Sequence, residues 1–146
     1  MLCDKVESLT KEQSNCMLWF EMRYGRITAS KLYEAAHCKT DSGSLVQQII
    51  GVSKKYDNIF MSRGRILEDL VIKAVEKKLK KKIKKSGFKL ISNYQRLGAS
   101  PDGQDDSFVN EVKTVKEYLK NEQITDKLKA QIMLQMFACN KQSGYF

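Results

Sequence analysis

The sequence has a single histidine, His37, and its four cysteines lie far apart with no C-x-x-C pair. These scarcities exclude a multi-histidine metal centre, a zinc site built on paired thiols and a small disulfide scaffold. No apolar run approaches the ~20 residues of a membrane-spanning helix, and residues 1–7 lack the basic start and the apolar stretch of a secretory signal. We therefore expect an intracellular protein, in the cytoplasm or the nucleus, without a membrane partner.

The composition is that of one ordinary globular domain. The 146 residues are 42% apolar and 29% charged, and neither an internal repeat nor a linker rich in proline, glycine or serine divides them. A chain of this length can bury roughly two thirds of its unfolded surface. We expect a single domain over residues 1–146.

The net charge of +9 is concentrated in one segment. Residues 77–89 contain eight lysines and no acid, whereas the rest of the chain is nearly neutral. Such a patch attracts polyanions, and both nucleic-acid phosphates and an anionic membrane surface suit it. The plainer interpretation is a solvated, lysine-rich helix end.

Apolar spacing and capping residues predict helices in the first half of the chain and again near its end. The predicted segments are a helix starting at the capping box of residues 10–13, one from Thr28 or Ser30 through Ala36, one over residues 45–50, one from Gly64 to Leu79, and one over residues 128–137. In the longest of them, apolar residues recur at intervals of three and four and predict one buried stripe. That stripe consists of Ile66, Leu67, Leu70, Val71, Ala74, Val75 and Leu79.

Short apolar segments after the lysines predict strands. They cover residues 88–91, 96–99 and 108–115, with turns between them and the start of another strand at residues 144–146. The order is helices, then a small sheet, then a helix. It predicts an α/β fold, or an α+β-like sandwich.

One group of charged residues has a spacing that suggests a catalytic metal site. Pro101-Asp102 is followed nine residues later by Glu111-Val112-Lys113, and side chains two apart in a strand point to the same face. Two carboxylates and one ammonium can therefore converge, and such carboxylates suit a hard divalent ion that activates water for phosphodiester cleavage. The alternative is a turn-forming Asp102 and a surface pair of Glu111 and Lys113.

These residues resemble the PD-(D/E)xK nuclease motif, and three further blocks narrow the resemblance to the lambda-exonuclease or YqaJ-type viral recombinase family. The blocks are WFEMRYGRITAS at residues 19–30, GRILE at 64–68 and AQIMLQM at 130–136, in the family's order. The resemblance spans Trp19 to Phe146. It implies a restriction-endonuclease-like core, in which helices flank a small mixed central sheet.

The resemblance also implies a role for each matching residue. Asp102, Glu111 and the backbone carbonyl of Val112 would bind the catalytic Mg²⁺, for which Mn²⁺ can substitute. Lys113 would position the attacking water. The remaining implied residues are Glu68 near the metal, Gln131 beside the nucleophile, and Arg23 and Ser30 on the terminal 5′-phosphate of DNA. Within the lysine-rich segment, Lys81 and Lys82 are expected to contact the DNA backbone because of their charge.

Plainer interpretations stay open for several of these residues. Arg23 can pair with Glu21, Ser30 can cap a helix, and Glu68 can be an exposed helix acid. Gln135 is an alternative to Gln131, and Trp19 is expected in the core.

The sequence departs from the family in two places. Met133 stands where relatives often have a second glutamine, and the chain stops at Phe146, where relatives continue with another strand, which suggests that this strand is cut short.

These implications favour a Mg²⁺-dependent exonuclease that degrades linear double-stranded DNA from 5′-phosphorylated ends in recombination or repair. The alternatives are an endonuclease of the same superfamily and a noncatalytic DNA-binding module with the same fold. The family further suggests a homo-oligomer and a single-strand annealing protein as partners.

Overall fold

The computed structural model describes residues 2–13, 16–39, 43–51, 59–113 and 124–146. Its helices are α1 (Leu2–Leu9), α2 (Met17–Arg23), α3 (Leu32–His37), α4 (Gly43–Ile49), α5 (Ile59–Leu79) and α6 (Asp126–Cys139), with a 3-10 turn at Ala29–Lys31. Its strands are β1 (Ile27–Thr28), β2 (Lys84–Lys85), β3 (Lys89–Leu90), β4 (Leu97–Ala99), β5 (Gly103–Gln104), β6 (Phe108–Asn110) and β7 (Ser143–Tyr145). Within these ranges, no helix is both long and apolar enough to cross a lipid bilayer.

The described strands form two small mixed sheets. One has the order β1-β4-β3, with β1 parallel and β3 antiparallel to β4. The other has the order β2-β5-β6-β7, in which β5 and β6 form an antiparallel hairpin and β7 runs parallel to β6. The expected α/β architecture, with small mixed sheets flanked by helices, is confirmed.

Helix α6 joins the two sheets, because its apolar side chains enter the cores of both. Leu134 packs with Ala29, Ile91 and Ala99 on the first sheet. Ile132 and Cys139 pack with Val109 on the second. The helix is well bounded, since Thr125 accepts a hydrogen bond from the Leu128 amide at its start and Asn140 adopts a left-handed conformation at its end. The prediction of a helix over residues 128–137 is confirmed.

The predicted buried stripe of α5 is confirmed at Val75 and Leu79, which pack against the cluster of Ile72 and Phe108, and wrong at Ile66 and Leu70. Ile66 is 72% exposed and Leu70 is also exposed, whereas Ile72, which the stripe omitted, is buried. The helix also begins at Ile59, five residues before Gly64. The spacing of apolar residues fits more than one face of a helix with so many of them, so periodicity alone did not identify the face that packs.

The predicted helix start at Thr10 is also wrong. Thr10 follows the end of α1, and its hydroxyl donates a hydrogen bond back to the Val6 carbonyl. The same oxygen accepts a hydrogen bond from the Phe88 amide at 2.7 Å. Thr10, which resembles a helix cap in sequence, thus connects the N-terminal segment by a hydrogen bond to Phe88, the residue before β3.

Two other predicted elements have different bounds. The segment from Thr28 divides into the 3-10 turn and α3, and the Thr28 side chain makes no capping hydrogen bond. The strand predicted over residues 108–115 ends at Asn110, because residues 111–113 have no regular structure; residues 114–115 lie outside the described part of the chain.

Candidate active site

Asp102 immediately precedes β5 and is held by two hydrogen bonds. Its amide donates to the Asn110 carbonyl at 3.1 Å, and its Oδ2 accepts from the Val112 amide at 2.6 Å. Both partners lie at or just beyond the end of β6. The β5–β6 hairpin therefore brings Asp102 next to the segment that carries Glu111, although nine positions separate them in the sequence.

Glu111 follows the last residue of β6, and its side chain is almost fully enclosed, with 5% of the residue exposed. Its Oε1 accepts hydrogen bonds from Gln131 Nε2 at 2.6 Å and from Lys113 Nζ at 2.5 Å. Its Oε2 accepts from Gln135 Nε2 at 2.5 Å. Two glutamines one turn apart on α6 thus hold one oxygen each, which fixes the plane of the carboxylate.

The two carboxylates are electrostatically crowded. Burial raises the pKa of Asp102 to about 8, and the nearby Glu111 carboxylate acts in the same direction, against the hydrogen bond from the Val112 amide. Burial also raises the pKa of Glu68, which lies on α5. Placing two charges of one sign in a poorly solvated site is unfavourable unless a cation joins them.

The donor set fits a hard divalent cation such as Mg²⁺. Asp102 and Glu111 supply carboxylate oxygens to one cavity of about 170 Å³, and oxygen ligands are what Mg²⁺ requires. Gln135 Oε1 is buried there without a hydrogen-bond partner. Within the described residues no three acidic, histidine or cysteine side chains are close enough together to hold a metal, so a third ligand here would be a backbone carbonyl such as that of Val112, or water.

Glu68 lies near Asp102 but lines a different cavity from Glu111. It lines a separate cavity of about 150 Å³ together with Asp102, Asp69 and Lys85, and it is absent from the lining of the cavity that contains Glu111. The structure therefore brings Glu68 to Asp102 but not into direct contact with the Glu111 carboxylate.

Arg23 enters the same cavity as a cation without a carboxylate partner in the described part of the chain. Its guanidinium lies 4.1 Å from the centre of the Trp19 ring, and burial lowers its pKa to about 10 despite the attraction of Glu111. The expected alternative, an ion pair with Glu21, is not formed. A desolvated guanidinium facing an open cavity is suited to an anion, above all to the planar arrangement of phosphate oxygens.

Ser30 lines the same cavity beside Thr28. Their hydroxyl oxygens are 3.2 Å apart. Thr28 immediately precedes the 3-10 turn at Ala29–Lys31, and Ser30 is part of that turn. Trp19, which the sequence placed in the core, is only partly buried and donates a hydrogen bond to Ser100 Oγ at 3.0 Å. Its exposed ring face supports Arg23.

The lysine run is not a uniform basic surface. Lys81 pairs with Asp105 at 3.3 Å and Lys85 with Asp69 at 3.2 Å, and Lys89 pairs with Glu7. Lys82 is exposed. Lys81 contacts the ring of Phe108, at the opposite end of β6 from Glu111, roughly 10 Å away at the rise of a strand. The structure thus separates Lys81 from the Asp102 cavity.

Four residues of the cavity lining had no predicted role in the site: Gln13, Thr28, Ala29 and Ser100. Gln13 also lines the second cavity that contains Asp102, and Thr28 also lines a larger cavity of about 560 Å³. Gln13 was interpreted only as part of a capping box. No local sequence signal indicates its position, because its contacts are with residues more than seventy positions away.

A family model for the YqaJ-like viral recombinase domain matches residues 18–145. The chain belongs to this family. Every residue of the cavity lining described above except Gln13 lies within the matched part of the YqaJ-like domain. Among curated proteins, no sequence matches the chain significantly.

Two solved structures share the fold of this YqaJ-like domain. An alkaline exonuclease from Laribacter hongkongensis, LHK-Exo, is 22% identical with a TM-score of 0.72, covering 87% of this chain and 73% of the exonuclease. LHK-Exo in complex with dAMP is 24% identical with a TM-score of 0.73, covering 88% and 73%. At these identities the likeness concerns the fold.

Proposed function

We propose that this YqaJ-like domain is a metal-dependent deoxyribonuclease that degrades linear double-stranded DNA from 5′-phosphorylated ends. One observation carries the proposal. Among the described residues, a single cavity contains the buried carboxylates of Asp102 and Glu111 and the guanidinium of Arg23, which has no carboxylate partner there. Lys113 already contacts Glu111, and a divalent metal and a DNA phosphate would supply the further cation at Asp102 and the anion at Arg23.

The residues of the cavity would have separate roles in holding the metal and in orienting its ligands. A bound Mg²⁺, or Mn²⁺ in its place, supplies Lewis-acid stabilisation of the charge that develops on the scissile phosphate. Asp102 and Glu111 would hold that ion, with the Val112 carbonyl as a further oxygen ligand. Gln131 and Gln135 keep the Glu111 carboxylate in one orientation. Glu68, which shares a cavity with Asp102, would be a further acid near the ion.

Lys113 places water for attack on the phosphorus. Its ammonium contacts Glu111 Oε1, which puts a proton donor at the edge of the carboxylate pair. The attacking water would form the new P–O bond and release a proton to solvent, the bond to the 3′-oxygen would break, and that oxygen would take up a proton from solvent. The remaining strand keeps a 5′-phosphate and is ready for the next cycle.

Arg23 and Ser30 would recognise the end of the strand. A guanidinium can bind two phosphate oxygens at once, and a hydroxyl adds a third hydrogen bond. LHK-Exo has a solved complex with dAMP, a nucleoside 5′-monophosphate. That ligand is chemically the product that an exonuclease of this polarity would release.

Further contacts and partners follow from the same proposal. Lys82 and the neighbouring exposed lysines would bind the DNA backbone without regard to sequence, and the affinity would fall steeply with salt. Lys81, paired with Asp105, would contribute less than the sequence suggests. A homo-oligomer and a single-strand annealing protein remain proposed partners in recombination or repair.

Cleavage of two substrates tests the function. A 5′-phosphorylated linear duplex and a covalently closed circle are incubated with the protein and Mg²⁺ or Mn²⁺, beside an Asp102→Ala control. We expect loss of the linear DNA only, and none with the control. Cutting of the circle would instead indicate an endonuclease, and DNA binding without any cleavage would indicate a noncatalytic module.

A further inference from the structure

The N-terminal segment, residues 2–13, precedes the part of the chain that the family model matches, yet it reaches the candidate active site. Gln13 Nε2 donates one hydrogen bond to the Pro101 carbonyl at 2.9 Å and one to the Ser86 carbonyl at 3.0 Å. Both hydrogens of the amide are therefore used. Pro101 and Ser86 are fully buried, so these carbonyls have little access to water as an alternative partner.

The Pro101–Asp102 peptide unit is held at both of its polar ends. Gln13 binds its carbonyl oxygen, and the Asn110 carbonyl accepts a hydrogen bond from its N–H. Because a peptide unit is planar, two such contacts fix its orientation and hence the direction in which the Asp102 side chain leaves the backbone. The Val112 amide then fixes the carboxylate itself.

The N-terminal segment is firmly attached to the sheets, so Gln13 acts from a rigid support. Thr10 accepts the Phe88 amide hydrogen bond, and the Glu7 carboxylate contacts Lys89 and Gln104. A Cβ atom on Gly87 would lie 2.0 Å from the Glu7 carbonyl, so glycine is required where the segment crosses. Gln13 itself has φ of +43°, an uncommon conformation for this residue type that its contacts maintain.

We propose that Gln13 is a positioning residue for Asp102, and that the N-terminal segment is thereby a working part of the catalytic centre. Gln13 touches no reacting atom. It acts by holding the Pro101–Asp102 peptide so that Asp102 faces Glu111 across the cavity. This inference rests on the proposed function only for its effect on cleavage, and its structural part can be measured without DNA or metal.

The test compares Gln13→Met with Thr10→Val in the full chain. Methionine keeps the length of the side chain but donates no hydrogen bond. Thr10→Val keeps the shape of Thr10 and removes the contact with Phe88, so it loosens the same segment away from Asp102. Amide-resolved hydrogen exchange and titration with Mn²⁺ are measured on both variants and on the unaltered protein.

For Gln13→Met we expect exchange at the Asp102 amide to accelerate at least tenfold and Mn²⁺ affinity to fall about tenfold. On a linear duplex, kcat should fall by a similar factor with KM within twofold. For Thr10→Val, faster exchange should centre on the Phe88 amide, and Mn²⁺ affinity should fall less than in Gln13→Met, because Gln13 keeps both of its hydrogen bonds.

Unchanged exchange at Asp102 and unchanged Mn²⁺ affinity in Gln13→Met would overturn the proposal. If that variant does not fold, Gln13→Asn, whose shorter amide can keep one of the two bonds, takes its place in the same measurements. If neither variant folds, Gln13 has a structural role only, and the proposal that it positions Asp102 is also overturned. An inactive unaltered protein would refute the proposed function, while the exchange data would still decide the role of Gln13.

Discussion

Asp102 and Asp105 lie three positions apart on one hairpin and have opposite electrostatic environments. Asp105 is partly shielded from solvent, which alone raises its pKa, but hydrogen bonds from the Ser107 and Phe108 amides and from Lys81 outweigh this and hold the pKa at about 2. Asp102 is buried beside another carboxylate, and its pKa is raised to about 8. Hydrogen bonds from its own loop and from Lys81 satisfy the Asp105 carboxylate, whereas the described residues supply the Asp102 carboxylate with one amide donor and no ion pair.

Arg23 and Arg26 repeat this contrast with the opposite charge. Arg26 donates hydrogen bonds to the Gln95 and Met22 carbonyls at 2.9 and 2.8 Å. Arg23 stacks on Trp19 and faces a cavity without a carboxylate partner among the described residues. Charges that are satisfied within the chain stabilise the fold, and charges that are not satisfied mark the place for a ligand.

The largest expected effect comes from replacing one aspartate or the other by asparagine. Asp102→Asn should lower Mg²⁺-dependent cleavage of a linear duplex by roughly 10³-fold or more, because it removes the negative charge of a proposed metal ligand. Asp105→Asn should leave cleavage within about twofold. Initial rates at saturating DNA measure both. Equal losses in the two variants would refute the distinction between the two carboxylates.

Replacement of the arginines by methionine should have the next largest effect. Arg23→Met should reduce the preference for 5′-phosphorylated over 5′-hydroxyl ends by about 10- to 100-fold, since a phosphate would lose a desolvated, charge-assisted partner. Arg26→Met should lower the free energy of unfolding and keep that preference. The ratio of kcat/KM for the two duplexes is the measurement. A preference that survives Arg23→Met would remove Arg23 from end recognition.

A smaller effect is expected on α6. Gln135→Met removes the hydrogen bond to Glu111 Oε2, and hydrogen bonds to charged groups contribute about 1.5–3 kcal/mol, so cleavage should fall roughly 10- to 100-fold. Met133→Leu, on the same helix at an exposed position, should have no effect. Rates of cleavage and Mn²⁺ affinity are compared in the two variants. An active Gln135→Met would show that Gln131 alone suffices to hold Glu111.

The smallest effect is the contribution of Asp105 to stability at low pH. Its pKa in the folded protein, about 2, lies below the ordinary 3.8, so its stabilising effect is present above pH ~4 and is lost as the pH falls towards ~2. The difference in unfolding free energy between the unaltered protein and Asp105→Asn should therefore shrink over this range. Urea unfolding at several pH values measures it, and a difference independent of pH would contradict the assignment.

Local sequence patterns predicted several elements of the fold and part of the candidate site. They could not predict contacts between residues that are far apart in the sequence. The α6 helix followed from its apolar residues. Glu111 and Lys113 are in contact as the spacing predicted, although they lie just beyond the end of β6 and not within a strand. The packed face of α5 was predicted only in part, because Ile66 and Ile72 are equally apolar and only tertiary contacts decide between them. Gln13 was missed for the same reason, since its partners Ser86 and Pro101 lie far along the chain.

Titration of Mn²⁺ into the DNA-free protein is the measurement that decides whether Asp102 and Glu111 form a cation site. We expect the unaltered protein and Asp105→Asn to bind the ion with the same affinity, and Asp102→Asn to bind it at least tenfold more weakly. Binding of equal strength in all three proteins, or no binding in any, would contradict the claim that the crowded carboxylates of Asp102 and Glu111 form a cation site.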